Sequence, residues 1–406
     1  MTSTTIPFLD LTRQYGSLRS EIDAAVLEVV RSGKYILGPY VKRFEDEIAE
    51  YVGAEHAIGV ASGTDALLLS LKALGIGPGD GVIVPSFTFF ATAGVVHNLG
   101  AIPIFADIDP RTFNIDPASV RDILESPYPN NPTDPTNSTN PTNPIDSIRA
   151  IIPVHLYGQP ADMNEIIAIA REYGLYVIED AAQAIGATYR TTNPNQPNEP
   201  NKPNELPSGI IGHLGCFSFY PTKNLGGYGD GGMIVTSDDG LAERLRLLRV
   251  HGAKPKYYHR LVGTNSRLDA IQAAILSVKL KHLDDWSRAR SELADRYDDA
   301  LKGIEGVVTP YRAPGRSHIF HQYTIRVLDD RRDELRDHLK KEGIGTMIYY
   351  PLPLHLQGCF ADLGYSEGDL PESERASREV LSLPIFPELK NEEIDRLLES
   401  IRAFFA

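Results

Sequence analysis

Between residues 57 and 236, short β-rich runs alternate with amphipathic helical runs. This alternation restricts the fold more than any other feature of the chain. Residues 57–60, 82–85, 102–107, 150–156, 176–179, 215–220 and 232–236 read as strands, with helices expected at 64–75, 90–99 and 162–173. Alternation of this kind builds an open, largely parallel sheet with helices on its faces. Several of the strands are apolar at consecutive positions, as strands covered on both faces are. Ahead of them, residues 7–15 read as an arm, followed by helices at about 17–32 and 40–52 on either side of Ser32-Gly33 and Gly38-Pro39. After residue 241 helices dominate: about 241–250, a long one from 266 to about 300, then 330–342 and 391–405, with a strand at 322–327. The expected division is an N-terminal arm with a large α/β domain over 1–250 and a smaller C-terminal α+β domain over 251–406. Segments 126–147 and 191–208 are rich in Asn, Pro and Thr. They cannot bury a core and read as surface insertions.

Composition excludes several function classes. A formal net charge of −14 argues against a nucleic-acid-binding surface. No apolar run reaches membrane-spanning length, and the N-terminus lacks the basic and apolar regions of a signal peptide. With only Cys216 and Cys359 there is neither a disulfide framework nor a cysteine metal cluster, and a reducing cytoplasm is expected. The histidines, His155, His213, His251, His259 and His321 among them, lack metal-ligand spacing, so no metal is expected.

Four stretches carry chemistry. Residues 217–232 present one lysine, Lys223, followed by five glycines within 226–232. A lysine at the end of an apolar strand is a candidate for a depressed pKa, because burial disfavours the ammonium. A neutral amine there condenses with a carbonyl as a Schiff base. The plainer reading is a surface lysine in a flexible loop. At Ser62-Gly63-Thr64 a strand ends and a helix begins, so free N–H groups, hydroxyls and the helix dipole suit a phosphate. The plainer reading is a helix cap by Ser62 or Thr64. Residues 177–183 deliver Glu179 and Asp180 at the C-terminal end of a strand, where open α/β sheets bind ligands. Asp180 could pair with a protonated ring nitrogen, with Gln183 beside it, or could cap the next helix. The aromatics of residues 85–90 are core, or one of them stacks on a planar cofactor. A phosphate cradle, an acid for a pyridinium nitrogen, an aromatic platform and a Schiff-base lysine together describe pyridoxal 5′-phosphate. Their order along the chain is that of fold type I.

From residue 7 to about 357 the chain resembles the DegT/DnrJ/EryC1/StrS family of pyridoxal phosphate-dependent nucleotide-sugar aminotransferases. The markers are Ala61-Ser-Gly-Thr-Asp-Ala-Leu67, Val154-His-Leu-Tyr-Gly-Gln-Pro-Ala-Asp162, Glu179-Asp-Ala-Ala-Gln183, Ser218-Phe-Tyr-Pro-Thr-Lys-Asn-Leu-Gly226 and Gly263-Thr-Asn-Ser-Arg-Leu-Asp269. The resemblance implies that Lys223 carries the Schiff base and shuttles protons, while Asp180 holds the pyridinium proton. Gln183 would meet the phenolic oxygen. Ser62, Gly63, Thr64 and Ser218 would hold the phosphate, and Phe89 would stack on the ring. Asn265 would reach the phosphate of a neighbouring subunit in a homodimer, and Arg267, His321 and Tyr350 would line the sugar-nucleotide site. The implied reaction moves an amino group from an amino acid, glutamate, to a keto group, at C3, of a UDP- or dTDP-linked sugar, for amino-sugar and polysaccharide biosynthesis. A related subgroup that dehydrates sugars has histidine where Lys223 stands, so the lysine favours amine transfer. A dehydratase, or a non-catalytic sensor or regulatory protein on the same scaffold, is the alternative.

Overall fold

The computed structural model describes residues 5–125, 147–191 and 204–406. The two Asn/Pro-rich segments therefore lie largely outside the described residues.

Two helices open the chain, α1 (Leu11–Ser32) and α2 (Gly38–Val52). Asp10 starts α1 by accepting the Thr12 N–H at 3.0 Å. Gly33 ends it at φ 66°, a conformation that suits glycine. The alternating region follows: β1 (His56–Val60), α3 (Gly63–Ala73), β2 (Asp80–Pro85), α4 (Ala91–Asn98), β3 (Ile102–Ala106), α5 (Pro117–Glu125), β4 (Ser147–Ile151), α6 (Met163–Tyr173), β5 (Tyr176–Asp180), β6 (Thr188–Thr191), β7 (Asn204–Pro207), β8 (Leu214–Ser218), β9 (Gly232–Thr236) and α7 (Asp239–Leu248). Seven of the strands form one sheet in the order β1-β9-β8-β5-β4-β2-β3. Only β9 runs against its neighbours, so the sheet is mixed but mostly parallel, as expected.

Alternate residues of a strand face opposite sides, and here both sides are covered. Val82 and Val84 pack on one side with Leu67, Leu71 and Val95; Ile83 packs on the other with Ile166 and Ile169. Each such side chain contributes about 1.5–3 kcal/mol by leaving water. The shared direction of β1, β2, β5 and β8 has a functional result. The residues that follow these four strands all emerge at one edge, where an open sheet presents its crevice.

The C-terminal part contains α8 (Ala270–Leu280), α9 (Leu283–Leu301), β10 (Val307–Val308), β11 (Tyr323–Val327), α10 (Arg332–Lys341), α11 (Pro371–Glu379), β12 (Val380–Leu383) and α12 (Asn391–Phe405). β10, β11 and β12 make a small antiparallel sheet. The single helix expected from 266 to about 300 is thus two helices, broken at Lys281-His282. The cause lies in packing, because the stretch holds no Gly or Pro. Ala273, Ala274 and Leu276 of α8 join Val29, Phe44 and Ile48 of α1 and α2. Ala294, Tyr297 and Leu301 of α9 join the core of the small sheet. One straight axis cannot serve both cores. Asp284 and Asp285 then suit the positive end of the restarted helix.

Two other expectations need correction. The strand expected at 150–156 stops at Ile151, because Pro153 has no N–H for a ladder. Residues 204–207, expected inside a coreless insertion, pair with Thr188–Thr191 as β7 with β6. Among the described residues no helix is long and apolar enough to cross a membrane.

Candidate active site

At the shared edge of the sheet lies a cavity of about 420 Å³. Ser62, Gly63, Thr64, Phe89, Asp180, Gln183, Ser218, Lys223, His321 and Tyr350 all line it. Asn265 and Arg267 are not among its lining residues. Asn265 is exposed, with its backbone bridged to Val250, and Arg267 is partly buried.

The loop that presents Lys223 is pinned. The Lys223 N–H donates to the Tyr220 carbonyl at 2.8 Å, and the Gly227 N–H donates to the Phe219 carbonyl at 2.8 Å. From α8, Gln272 Oε1 accepts the Tyr228 N–H at 2.7 Å, and Lys279 Nζ donates to the Gly226 carbonyl at 2.5 Å. The reading of a lysine in a flexible surface loop is therefore wrong. Lys223 faces the cavity, and removal from water lowers its pKa to about 8, against the opposing pull of the Asp180 charge.

Asp180 ends β5 and is only 5% exposed. Its Oδ2 accepts from the Thr92 hydroxyl at 2.9 Å, and its Oδ1 accepts from the Ala182 N–H at 3.2 Å. Burial raises the pKa of this carboxyl, and the Thr92 bond works against that rise. Gln183 is held in one orientation. Its Oε1 accepts the Tyr157 N–H at 2.8 Å, so its Nε2 is turned toward the Tyr350 hydroxyl, 3.2 Å away.

At the start of α3 the Ser62 hydroxyl accepts the Asp65 N–H at 3.1 Å, so this side chain does act as the helix cap. The N–H groups of Gly63 and Thr64 precede the first intrahelical bond, from Ala66 N–H to the Ser62 carbonyl at 2.9 Å. Ser218, from the end of β8, stands against them. A Cβ on Gly63 would lie 2.7 Å from the Ser218 Cβ, so only glycine allows this approach. Phe89 and Tyr220, each more than half exposed, stand at the mouth.

Thr92 and Tyr157 were not recognised from the sequence as site residues, although both hold groups that were. For Thr92 the signal was its place one helical turn beyond the aromatics of 87–90. Glu179 has a different task from its neighbour. It is fully buried and accepts from Gly209 N–H at 2.8 Å and from Ile211 and Gly212 N–H at 2.6 Å each. It also accepts from His155 Nε2 at 2.8 Å. His155 Nδ1 accepts the Ala161 N–H, so the ring proton sits on Nε2. Glu179→Gln should cost about 1–3 kcal/mol, because one donor then meets an amide NH₂ and stays unsatisfied. A thermal melt of the cofactor-free protein checks this.

A deep carboxylate, an amide donor, a cavity amine and paired N–H groups beside a hydroxyl are what a phosphorylated pyridine aldehyde needs, and the residues present fit that group. The fold is that of the pyridoxal phosphate-dependent aminotransferases. More narrowly, the chain belongs to the DegT/DnrJ/EryC1/StrS aminotransferase family, whose profile matches residues 17–402. It is 53% identical over 402 residues to the pleiotropic regulatory protein of Geobacillus stearothermophilus, covering 98% of each chain. It is 44% identical to the dTDP-3-amino-3,4,6-trideoxy-alpha-D-glucose transaminase of Streptomyces venezuelae, covering 98% of this chain and 95% of that one. Among solved structures, S. venezuelae DesV in complex with a ketimine intermediate superposes with a TM-score of 0.87, at 44% identity and 98% coverage of both chains.

Proposed function

We propose that this protein moves an amino group from glutamate to the C3 keto group of a UDP- or dTDP-linked sugar, with pyridoxal 5′-phosphate as cofactor. One observation carries the reading: Lys223 and Asp180, 43 positions apart in the chain, line one cavity at the C-terminal edge of a parallel sheet. When bound, pyridoxal phosphate supplies an aldehyde that accepts amines and a ring that takes up the electron pair left at a deprotonated carbon.

The chain's own residues do the rest. Lys223 Nζ, its pKa brought down to about 8, is neutral in a far larger share of molecules near physiological pH than an ordinary lysine, and moves a proton to and from the reacting carbon. Asp180 holds a proton at the ring nitrogen, and Thr92 and Ala182 keep its oxygens aimed. Gln183 Nε2 donates to the phenolic oxygen. The Gly63 and Thr64 N–H groups and the Ser218 hydroxyl bind the phosphate, with Ser62 capping the helix beneath it. Phe89 covers the ring. Tyr350 and His321 wall the sugar side, and Arg267 belongs to the same reading through the nucleotide. Asn265, exposed in one chain, would complete the phosphate site of a second copy, so the working unit is a homodimer. The division into 1–250 and 251–406, and a cytoplasmic location for amino-sugar synthesis, belong to this proposal too.

Incubation of the pyridoxal phosphate-loaded protein with glutamate should release about one equivalent of 2-oxoglutarate per site, and continuous release should need a nucleotide keto-sugar. Mass spectrometry of a panel of such sugars then identifies the acceptor. A dehydratase would act on the sugar without lasting glutamate consumption, and a sensor would bind without release. The retained Lys223, Asp180 and Gln183 favour the catalyst.

A further inference from the structure

His321 sits beside the reacting amine without any step assigned to it. It is 6% exposed, lines the cavity, and places Nδ1 3.1 Å from Asn224 Oδ1. Asn224 directly follows Lys223 and is itself buried. Its Nδ2 donates to the Ile319 carbonyl at 3.2 Å. A carbonyl only accepts, so the NH₂ end of Asn224 faces Ile319 and its oxygen faces His321. Nδ1 of His321 therefore carries the ring proton, and Nε2 keeps a bare lone pair. Nε2 has no hydrogen-bond partner among the described residues. Burial, together with the charges of Lys223 and Arg290, holds the ring well on the neutral side. Arg290 is fixed nearby, donating to the Phe320 carbonyl at 3.1 Å and the Ile385 carbonyl at 2.6 Å. His321 is thus an acceptor in one tautomer, buried in the cavity wall and bonded to the residue that follows the amine's own.

We propose that Nε2 of His321 determines specificity by accepting a hydrogen bond from the sugar hydroxyl at C4, next to the carbon being aminated. This rests on the nucleotide-sugar reading above. The nucleotide hangs from C1 and has to leave through the mouth beside Phe89 and Tyr220. C4 lies across the ring from C1, so its hydroxyl points away from that mouth, toward the buried cavity wall to which His321 contributes. A site built to bond a hydroxyl rejects an analogue that lacks it, because the site's own polar group is then left unpaired.

Two amino sugars that differ only at C4 test this when the reaction is run in reverse with 2-oxoglutarate. They are dTDP-3-amino-3,6-dideoxy-α-D-galactopyranose, which has the hydroxyl, and dTDP-3-amino-3,4,6-trideoxy-α-D-glucose, which lacks it. The wild type is expected to prefer the hydroxylated sugar by about tenfold or more in kcat/KM. His321→Phe should bring the ratio close to one, because only the hydroxylated sugar loses a bond, whatever the change common to both sugars. His321→Gln, which keeps an acceptor oxygen, should restore part of the preference. If His321→Phe does not fold, Asn224→Ala, which frees the tautomer, should lower the same ratio. Equal loss on both sugars, or no preference in the wild type, would overturn the inference. Failure of the wild type to use either sugar, while still releasing 2-oxoglutarate from glutamate, would overturn the substrate reading beneath it.

Discussion

Lys223→Ala is expected to reduce turnover by on the order of 10⁴-fold, measured as 2-oxoglutarate formed from glutamate. In the reading proposed above, the variant loses the group that would move the proton at the reacting carbon, and a positioned base supplies about 10²–10⁴-fold by itself. It also loses the amine that exchanges with the donor's amine. Among the described residues no other lysine lines the cavity to replace it. The same side chain should have the opposite effect on stability. In the folded, cofactor-free protein its pKa of about 8 lies below the ordinary lysine value of 10.5. The ammonium is thus disfavoured in the folded state. That cost is fully present below about pH 8 and fades as pH rises toward 10.5. Lys223→Met should therefore stabilise the cofactor-free protein by up to roughly 3 kcal/mol at neutral pH, with the gain gone in alkaline melts. A residue whose removal destroys activity and raises stability is one kept for chemistry.

Asp180→Asn should cost about 10²–10³-fold in kcat, the range for losing one preorganised electrostatic partner of a developing charge. The change is nearly isosteric, so packing at the end of β5 should persist. What disappears is the negative charge that, in the proposed reading, would keep a proton on the ring nitrogen. The asparagine also has to turn an NH₂ group toward either Thr92 or Ala182, both of which donate to the native carboxylate. The KM for glutamate should change much less than kcat, because the lost interaction matters most while charge builds on the ring. Equal loss in both parameters would mean that Asp180 only shapes the cavity.

The sequence and the structure agree most closely where period and apolarity act over many residues. Strands buried on both faces and amphipathic helices announced the mostly parallel sheet, and the residues at its strand ends met in one cavity. Tertiary causes were not legible. Nothing local in 270–301 marks the break at Lys281-His282, which arises because α8 and α9 serve different cores. Pairing of 204–207 with 188–191 depends on a partner strand that composition does not reveal. Thr92 and Tyr157 escaped notice for a related reason. A hydroxyl or N–H that aims another residue is visible only once the two are neighbours. Ser62 shows both readings at once: its hydroxyl accepts the Asp65 N–H as a helix cap, while its own O–H remains to donate, beside the backbone of Gly63 and Thr64, to a ligand.

Among the described residues, two lysines have a pKa brought to about 8 by removal from water, Lys223 and Lys279. Only Lys223 reaches the cavity; Lys279 is spent on the Gly226 carbonyl. Loading the protein with pyridoxal phosphate, reducing it with borohydride and locating the pyridoxyl group by peptide mass spectrometry separates the two. The label should fall on Lys223 alone. A label on Lys279, or none on any lysine, would contradict the site described above.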